Sequence, residues 1–321
     1  MIPADMQILA LPVFIVGVIL LWKGSDILVD GTSKIAAQLG ISALIVSVIL
    51  VGFGTSAPEL AISAGAAIQK NPDISLGNII GSCIANLFLV LGLSAIIRPI
   101  KIKKGILKRE APIMLGATVI LLLASFLGLL DKYHLIGGLV FIILFAAFLL
   151  FFIGCAKKER DNEKKIDSGK TRKNIFFIIL GIIGVVAGAW LLIESAVTIA
   201  HYLNISEFII ALSIVAIGTS LPEVVVSSMA AYRGKSDIAI GNVLGSNVFN
   251  ILLVLGVAAL FIPLKTLDSM NHLLILLAVT LLIFPILYTK HLISRKEGVF
   301  MLIIYAVFIW YTFFGYTVIS L

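Results

Sequence analysis

Apolar stretches longer than about 18 residues follow one another along nearly the whole chain, and each is long enough to cross a hydrocarbon core about 30 Å thick as a helix. Read between charged or Gly/Pro-containing breaks, they predict helices near residues 7–39, 43–69, 73–97, 110–130, 134–156, 174–203, 207–232, 236–262, 270–289 and 297–318. The first and sixth are longer than a perpendicular span needs, which predicts strong tilt or a break in each. The first run follows Asp5 with no basic residue before it and continues past Lys23 without a short apolar core and cleavage site. It therefore reads as a mature helix rather than a secretory signal.

Composition agrees with this reading. Of the 321 residues, 60% are hydrophobic and only 13% charged, about half the charged share usual in soluble domains. The predicted fold class is all-α integral membrane, with about ten transmembrane helices. Cys83 and Cys155 fall inside or at the end of apolar segments and read as packing residues rather than a disulfide framework.

The net charge of +7 is spread in a way that argues for topology rather than for a nucleic-acid partner, which would need a clustered basic surface. With the N-terminus outside, the loops after helices 1, 3, 5, 7 and 9 hold 20 of the 24 basic residues, while the opposite loops hold only Lys70, Lys132 and Lys265. The positive-inside rule then predicts a cell-membrane protein with both termini extracellular and residues 157–173 as a cytoplasmic linker. That stretch, KKERDNEKKIDSGKTRK, mixes both signs without an apolar pattern and is too short for a regulatory domain.

The chain also repeats itself. Gly54-Thr55-Ser56-Ala57-Pro58-Glu59 returns as Gly218-Thr219-Ser220-Leu221-Pro222-Glu223, five of six residues identical at an offset of 164. At the same offset Gly77-Asn78-Ile79-Ile80-Gly81-Ser82-Cys83-Ile84-Ala85-Asn86 corresponds to Gly241-Asn242-Val243-Leu244-Gly245-Ser246-Asn247-Val248-Phe249-Asn250. Two repeats are expected, 1–156 with motifs at 52–92 and 174–321 with motifs at 216–256. Five helices in each half would give the second the opposite orientation. Inverted repeats of this kind recur in secondary transporters, where the substrate site lies near the midplane on helices broken by Gly or Pro.

The repeated motifs carry the candidate chemistry. An ionised carboxylate deep in a bilayer costs several kcal/mol unless it is paired or faces a polar cavity, and Glu59 and Glu223 are predicted at such depth. Each follows a proline, which removes a backbone donor and frees carbonyls to act as ligands. Thr55 and Thr219 lie four residues earlier on the same helix face, and Ser56 and Ser220 three residues earlier. Ser82 with Asn86, and Ser246 with Asn250, repeat the four-residue spacing. Gly77, Gly81, Gly241 and Gly245 are expected to allow close helix approach. The set contains only oxygen ligands, which suits a hard cation such as Ca2+ better than a transition metal. Taken singly, each Ser or Thr is more readily a helix-packing residue bonded to its own backbone. Duplication together with a mid-membrane Glu favours function. Asp30 and its counterpart Glu194 fit gating or interfacial anchoring equally. His134, His201, His272 and His291 sit near helix ends and read as structural or interfacial.

These residues resemble the cation/Ca2+ exchanger superfamily, in its prokaryotic sodium/calcium exchanger branch. The paired GTSxPE and GNxxGS motifs look like that family's two alpha repeats, and the resemblance covers essentially the whole chain. It implies a secondary antiporter, not an enzyme, that exchanges Ca2+ for Na+ by alternating access. Glu59 and Glu223 would be the principal ion ligands. Thr55, Ser56, Thr219, Ser220, Ser82 and Ser246 would complete the sites, with backbone carbonyls near Gly52 and Ala216, and Asn86 and Asn250 would take the remaining side-chain positions. No cofactor is implied beyond the transported Ca2+ and Na+. The partners are those ions and the bilayer, with no nucleic acid and an open oligomeric state. Some relatives, potassium-dependent members among them, carry Asp in place of Asn250, so Asn250 argues against K+ cotransport. A H+/Ca2+ antiporter of the same superfamily is the alternative, although its members usually carry a GNxxE-type motif. A membrane enzyme using Ser56 or Ser220 lacks a His or Lys partner, and a channel would usually draw symmetry from several subunits.

Overall fold

The computed structural model describes residues 9–161, 171–202, 218–288 and 291–312. Ala216, His201, most of the linker, the start of the predicted seventh helix and both chain ends lie outside the described residues or have no described side chain. In chain order the helices are α1 (Ala10–Leu39), α2 (Ala43–Thr55), α3 (Ala57–Ile68), α4 (Pro72–Ile97), α5 (Lys104–Lys108), α6 (Glu110–Phe126), α7 (His134–Asp161), α8 (Thr171–Tyr202), α9 (Leu221–Tyr232), α10 (Ser236–Phe261), α11 (Met270–Tyr288) and α12 (Arg295–Trp310). Strand β1 (Ile100–Lys101) pairs antiparallel with β2 (Leu292–Ile293), tying the loop after α4 to the loop before α12.

Among the described residues six helices are long and apolar enough to span a membrane, or seven if α2 and α3, bent by 45°, count as one span. The difference from the ten expected lies in helix length. α6 has 17 residues and α12 has 16, short of a full perpendicular span, and α9 follows residues that are not described.

Chain breaks follow local chemistry. α1 ends where Gly40 takes the left-handed conformation, φ 64°, and its N–H bonds back to the Ala36 and Ala37 carbonyls. α2 gives way to α3 at Ser56, and α9 starts after Ser220, each with ψ near 0° and a proline two residues on. A proline in the first turn offers no N–H to the preceding turn and bends the path. π-helical turns at Ser47–Val51, Asn86–Val90 and Phe249–Val254 widen the motif helices where functional sites often lie.

α4 and α10, which carry the GNxxGS motifs, are the most buried spans, at 78% and 83%. Around them, α7 and α8 turn large apolar side chains outward, Leu150, Ile143 and Trp190 among them, as lipid-facing helices do. α1 and α8 run unbroken side by side, so the break anticipated as one option for each is not seen. Their seam is lined by glycine. A Cβ at Gly24 would stand 2.7 Å from Val185 N, and one at Gly181 2.8 Å from Leu28 N. Close backbone approach of this kind drives helix association where lipid removes the hydrophobic incentive.

Helix also continues into both ends of the stretch read as linker, and Glu159 has a structural task there. Its carboxylate accepts the Ser42 N–H at 2.7 Å, capping the start of α2, and lies 3.8 Å from the Arg109 guanidinium. Glu159→Ala is expected to cost about 1 kcal/mol, as loss of a cap typically does. Thermal unfolding in detergent would show it as a lowered midpoint, and an unchanged midpoint would remove the cap from the account.

Candidate functional site

The two glutamates are fully buried in the first turns of α3 and α9. Helix starts favour negative charge, because the exposed N–H groups and the helix dipole both point at it. Ser82 of α4 donates to Glu59 Oε1 at 3.1 Å, and Ser246 of α10 donates to Glu223 Oε1 at 3.4 Å. The halves then cross over. Ser56, before α3, donates to Glu223 Oε1 at 3.4 Å, and Ser220, before α9, donates to Ser82 Oγ at 3.3 Å. Asn250 Nδ2 reaches the same Ser82 oxygen at 3.1 Å.

The threonines also bridge the halves. Thr55 Oγ1 donates to Asn242 Oδ1 at 3.0 Å, and Thr219 Oγ1 to Asn78 Oδ1 at 3.5 Å. The Gly52 carbonyl is an alternative acceptor for the hydroxyls of Thr55 and Ser246, each at 3.4 Å. Close approach explains the second contact, since a Cβ on Gly52 would meet Ser246 N at 3.1 Å. Gly241 and Gly245 press against Leu44, Ser47 and Val48 of α2, as expected of them. A Cβ at Gly77 or Gly81 meets no described atom within 4 Å, and the positions 164 beyond Leu44 and Val48 fall outside the described residues.

Eleven of the twelve predicted positions are therefore described, and ten of them fall into two hydrogen-bonded sets of five: Glu59 with Ser82, Ser220, Asn250 and, through Asn78, Thr219, and Glu223 with Ser56, Ser246, Thr55 and Gly52. Asn86 instead donates to Asn247 Oδ1 at 3.0 Å, and Asn247 Nδ2 donates in turn to the Cys83 carbonyl at 3.2 Å. Asn247 is thus a core polar residue that motif matching left unassigned. Cys83 and Asn247 occupy the same repeat position with different residues, so no identity signal marked them. Asn78, Asn242, Ser63 and Ser227 were missed as well, although all four recur at the 164-residue offset. Asp30 pairs on the surface with Lys34, which matches an interfacial role. Unforeseen was the ion pair of Asp26 on α1 with Arg233 at the end of α9.

The unused atoms define the chemistry. Glu59 Oε2, Glu223 Oε2, Asn86 Oδ1 and Asn250 Oδ1 are buried oxygens with no hydrogen-bond donor among the described residues. Leaving a buried polar atom unsatisfied costs about 1–3 kcal/mol, more for a charged one. These four acceptors, among the twelve buried side-chain atoms of the described residues that make no hydrogen bond, all belong to the repeated motifs and form a donor-poor set suited to a hard cation. Among the described residues there is no group of three or more His, Cys, Asp and Glu, so the carboxylates here number two and the other oxygens are neutral.

Apolar spans around a buried oxygen cluster on broken helices define a membrane protein of the ion-transporter class. The chain belongs to the sodium/calcium exchanger protein family, whose family model matches residues 9–154 and 173–314. It is 38% identical over 304 residues to an uncharacterized membrane protein of Methanocaldococcus jannaschii, covering 94% of this chain and 97% of that one. It is 33% identical over 339 residues to the sodium/calcium exchanger MaX1 of Methanosarcina acetivorans, covering 92% and 96%. A solved structure of the sodium-calcium exchanger NCX_Mj superimposes with a TM-score of 0.83 at 35% identity, covering 94% of this chain and 98% of that one.

Proposed function

We propose that this protein exchanges Ca2+ for Na+ across the cell membrane by alternating access, with both ions using the oxygen cluster around Glu59 and Glu223 near the bilayer midplane. The observation that carries this reading is the set of four buried oxygens without donors, two carboxylate and two amide. Ligands would come from Glu59, Glu223, Asn86 and Asn250, from Thr55, Ser56, Ser82, Thr219, Ser220 and Ser246, and from carbonyls near Gly52 and Ala216. The names of its relatives, a sodium/calcium exchanger at 33% identity and NCX_Mj at 35%, support the choice of ions.

Ten spans in two inverted repeats account best for the contacts. Ser82 with Glu59 and Ser246 with Glu223 are the same bond 164 residues apart, and so are Asn78 with Ser63 and Asn242 with Ser227. With the basic loops inside, both termini lie outside. The long pair α1 and α8, joined through bare glycine backbone, is the mobile unit, and α4 and α10 are the fixed core. Ca2+ balances two carboxylates by itself, and Na+ displaces it only by occupying the same oxygens. An empty cavity leaves two buried charges uncompensated, which penalises crossing without cargo.

The test is Ca2+ uptake into proteoliposomes under an outward Na+ gradient, with an imposed pH gradient as comparison and K+ present or absent. Uptake should follow the Na+ gradient and be indifferent to K+, because Asn250 and Asn86 add no third charge to the cavity. Uptake driven by pH without Na+ would make the protein a H+/Ca2+ antiporter, and a requirement for K+ would refute the charge count.

A further inference from the structure

Resting on the cation-site reading, we propose that Ser227 and Asn242 are positioning residues that fix the direction of the Thr55 hydroxyl, so that it meets the transported cation with lone pairs only. A hydroxyl binds a cation through its oxygen and needs another acceptor for its hydrogen. The structure supplies one through a chain of three bonds. Ser227 Oγ donates to the Ala239 carbonyl at 3.4 Å, Asn242 Nδ2 donates to Ser227 Oγ at 3.0 Å, and Thr55 Oγ1 donates to Asn242 Oδ1 at 3.0 Å.

The direction is set at the far end. A backbone carbonyl only accepts, so Ser227 must donate to it and offers a lone pair to the Asn242 amide. The amide nitrogen turns to Ser227 and its oxygen turns to Thr55. The Thr55 hydrogen is then committed to Asn242 Oδ1 at 3.0 Å in preference to the Gly52 carbonyl at 3.4 Å, and its lone pairs are left for the Ser246 side at 3.3 Å. Ser227 and Asn242 are fully buried, where solvent offers no alternative partner, so chained bonds of this kind hold their direction.

The other half carries the same chain at the same offset. Ser63 donates to the Ser75 carbonyl at 3.4 Å, Asn78 Nδ2 to Ser63 Oγ at 2.9 Å, and Thr219 to Asn78 Oδ1 at 3.5 Å. Each chain is anchored in one half of the sequence and orients a threonine of the other. The last bond is longer in the second case, so the Thr55 chain should matter more.

In Ser227→Ala the amide is free to turn, the Thr55 hydrogen can rotate into the cavity, and the oxygen must be reoriented for each cation bound. The expected result is a rise in the apparent KM for Ca2+ of about three- to tenfold, the equivalent of one hydrogen bond, with the maximal rate within about twofold of wild type. Ser63→Ala should show a smaller rise. The deciding measurement is the double variant Ser227→Ala with Thr55→Val, because a residue acting through the Thr55 hydroxyl has nothing left to orient once that hydroxyl is gone. The double variant should match Thr55→Val alone. Effects that multiply, or an unchanged KM in Ser227→Ala, would overturn the proposal. If Ser227→Ala does not insert, Asn242→Leu with and without Thr55→Val makes the same comparison. A Thr55→Val protein with wild-type KM would instead overturn the cation-site reading, which separates the two failures.

Discussion

Glu59→Gln and Glu223→Gln are each expected to abolish exchange while the protein still inserts and folds. Glutamine keeps the size of the side chain and an oxygen able to accept from Ser82 or Ser246. It removes one of two negative charges and puts an NH2 group where Oε2 now stands without a donor. A donor would then face the bound cation. Breaking a fully buried charge interaction typically costs about 3–5 kcal/mol, a loss of more than about 100-fold in affinity. Na+-driven Ca2+ flux should fall to the level of empty vesicles, while size-exclusion profiles stay those of the wild type. Wild-type transport by either folded variant would remove that glutamate from the site.

The second large effect is steric. Gly245→Ala is expected to destabilise the protein by about 1–3 kcal/mol, the usual cost of overpacking, and to slow exchange at least tenfold. The new Cβ would stand 2.7 Å from the Val48 carbonyl oxygen and 2.9 Å from Val48 Cα, and backbone cannot step aside as a flexible side chain can. α2 must shift away from α10. The neighbouring contact of Gly52 with Ser246, which brings the two helices into one site, moves with it. Gly154→Ala on α7 is the control, since nothing lies within 4 Å of its Cβ and alanine is the better helix former. Melting midpoints in detergent should separate the two variants, and equal midpoints would contradict the close packing described for α2 and α10.

The sequence made the parts of this site legible but not their partners. Length and apolarity located the six or seven spans seen among the described residues, because a bilayer constrains a helix more tightly than water does. Pro58 and Pro222 announced the breaks that put Glu59 and Glu223 at helix starts. Spacing of four residues could place Ser82 and Asn86 on one face, but it could not show that Asn250 of the other half reaches Ser82, or that Ser56 bonds Glu223 rather than its own neighbour Glu59. Those contacts join residues more than 160 positions apart, and no local period encodes them. Asn247 was invisible for a related reason, as its repeat partner is Cys83 and the two meet only in the folded molecule. Glu159 was read as part of a solvated linker because its charge pattern resembles one. Its role depends on where α2 begins in space.

The paired Asn86 and Asn250 have a consequence for how membrane voltage enters the exchange cycle. On the proposed site, with Glu59 and Glu223 ionised and the two amides neutral, the protein's own contribution to the transported unit would be two negative charges. A single Ca2+ would cancel them, so the Ca2+-loaded form would cross as an electrically silent species on which the membrane potential does no work. Two Na+ would cancel them as well. Each Na+ beyond the second carries a whole elementary charge through the field, worth about 2.3 kcal/mol for every 100 mV. On that charge count the two amides would assign all voltage dependence to the Na+ half of the cycle. Wherever more than two Na+ exchange for each Ca2+, a cell holding its interior negative would drive Na+ inward and Ca2+ outward, without needing any charged group dedicated to sensing the potential.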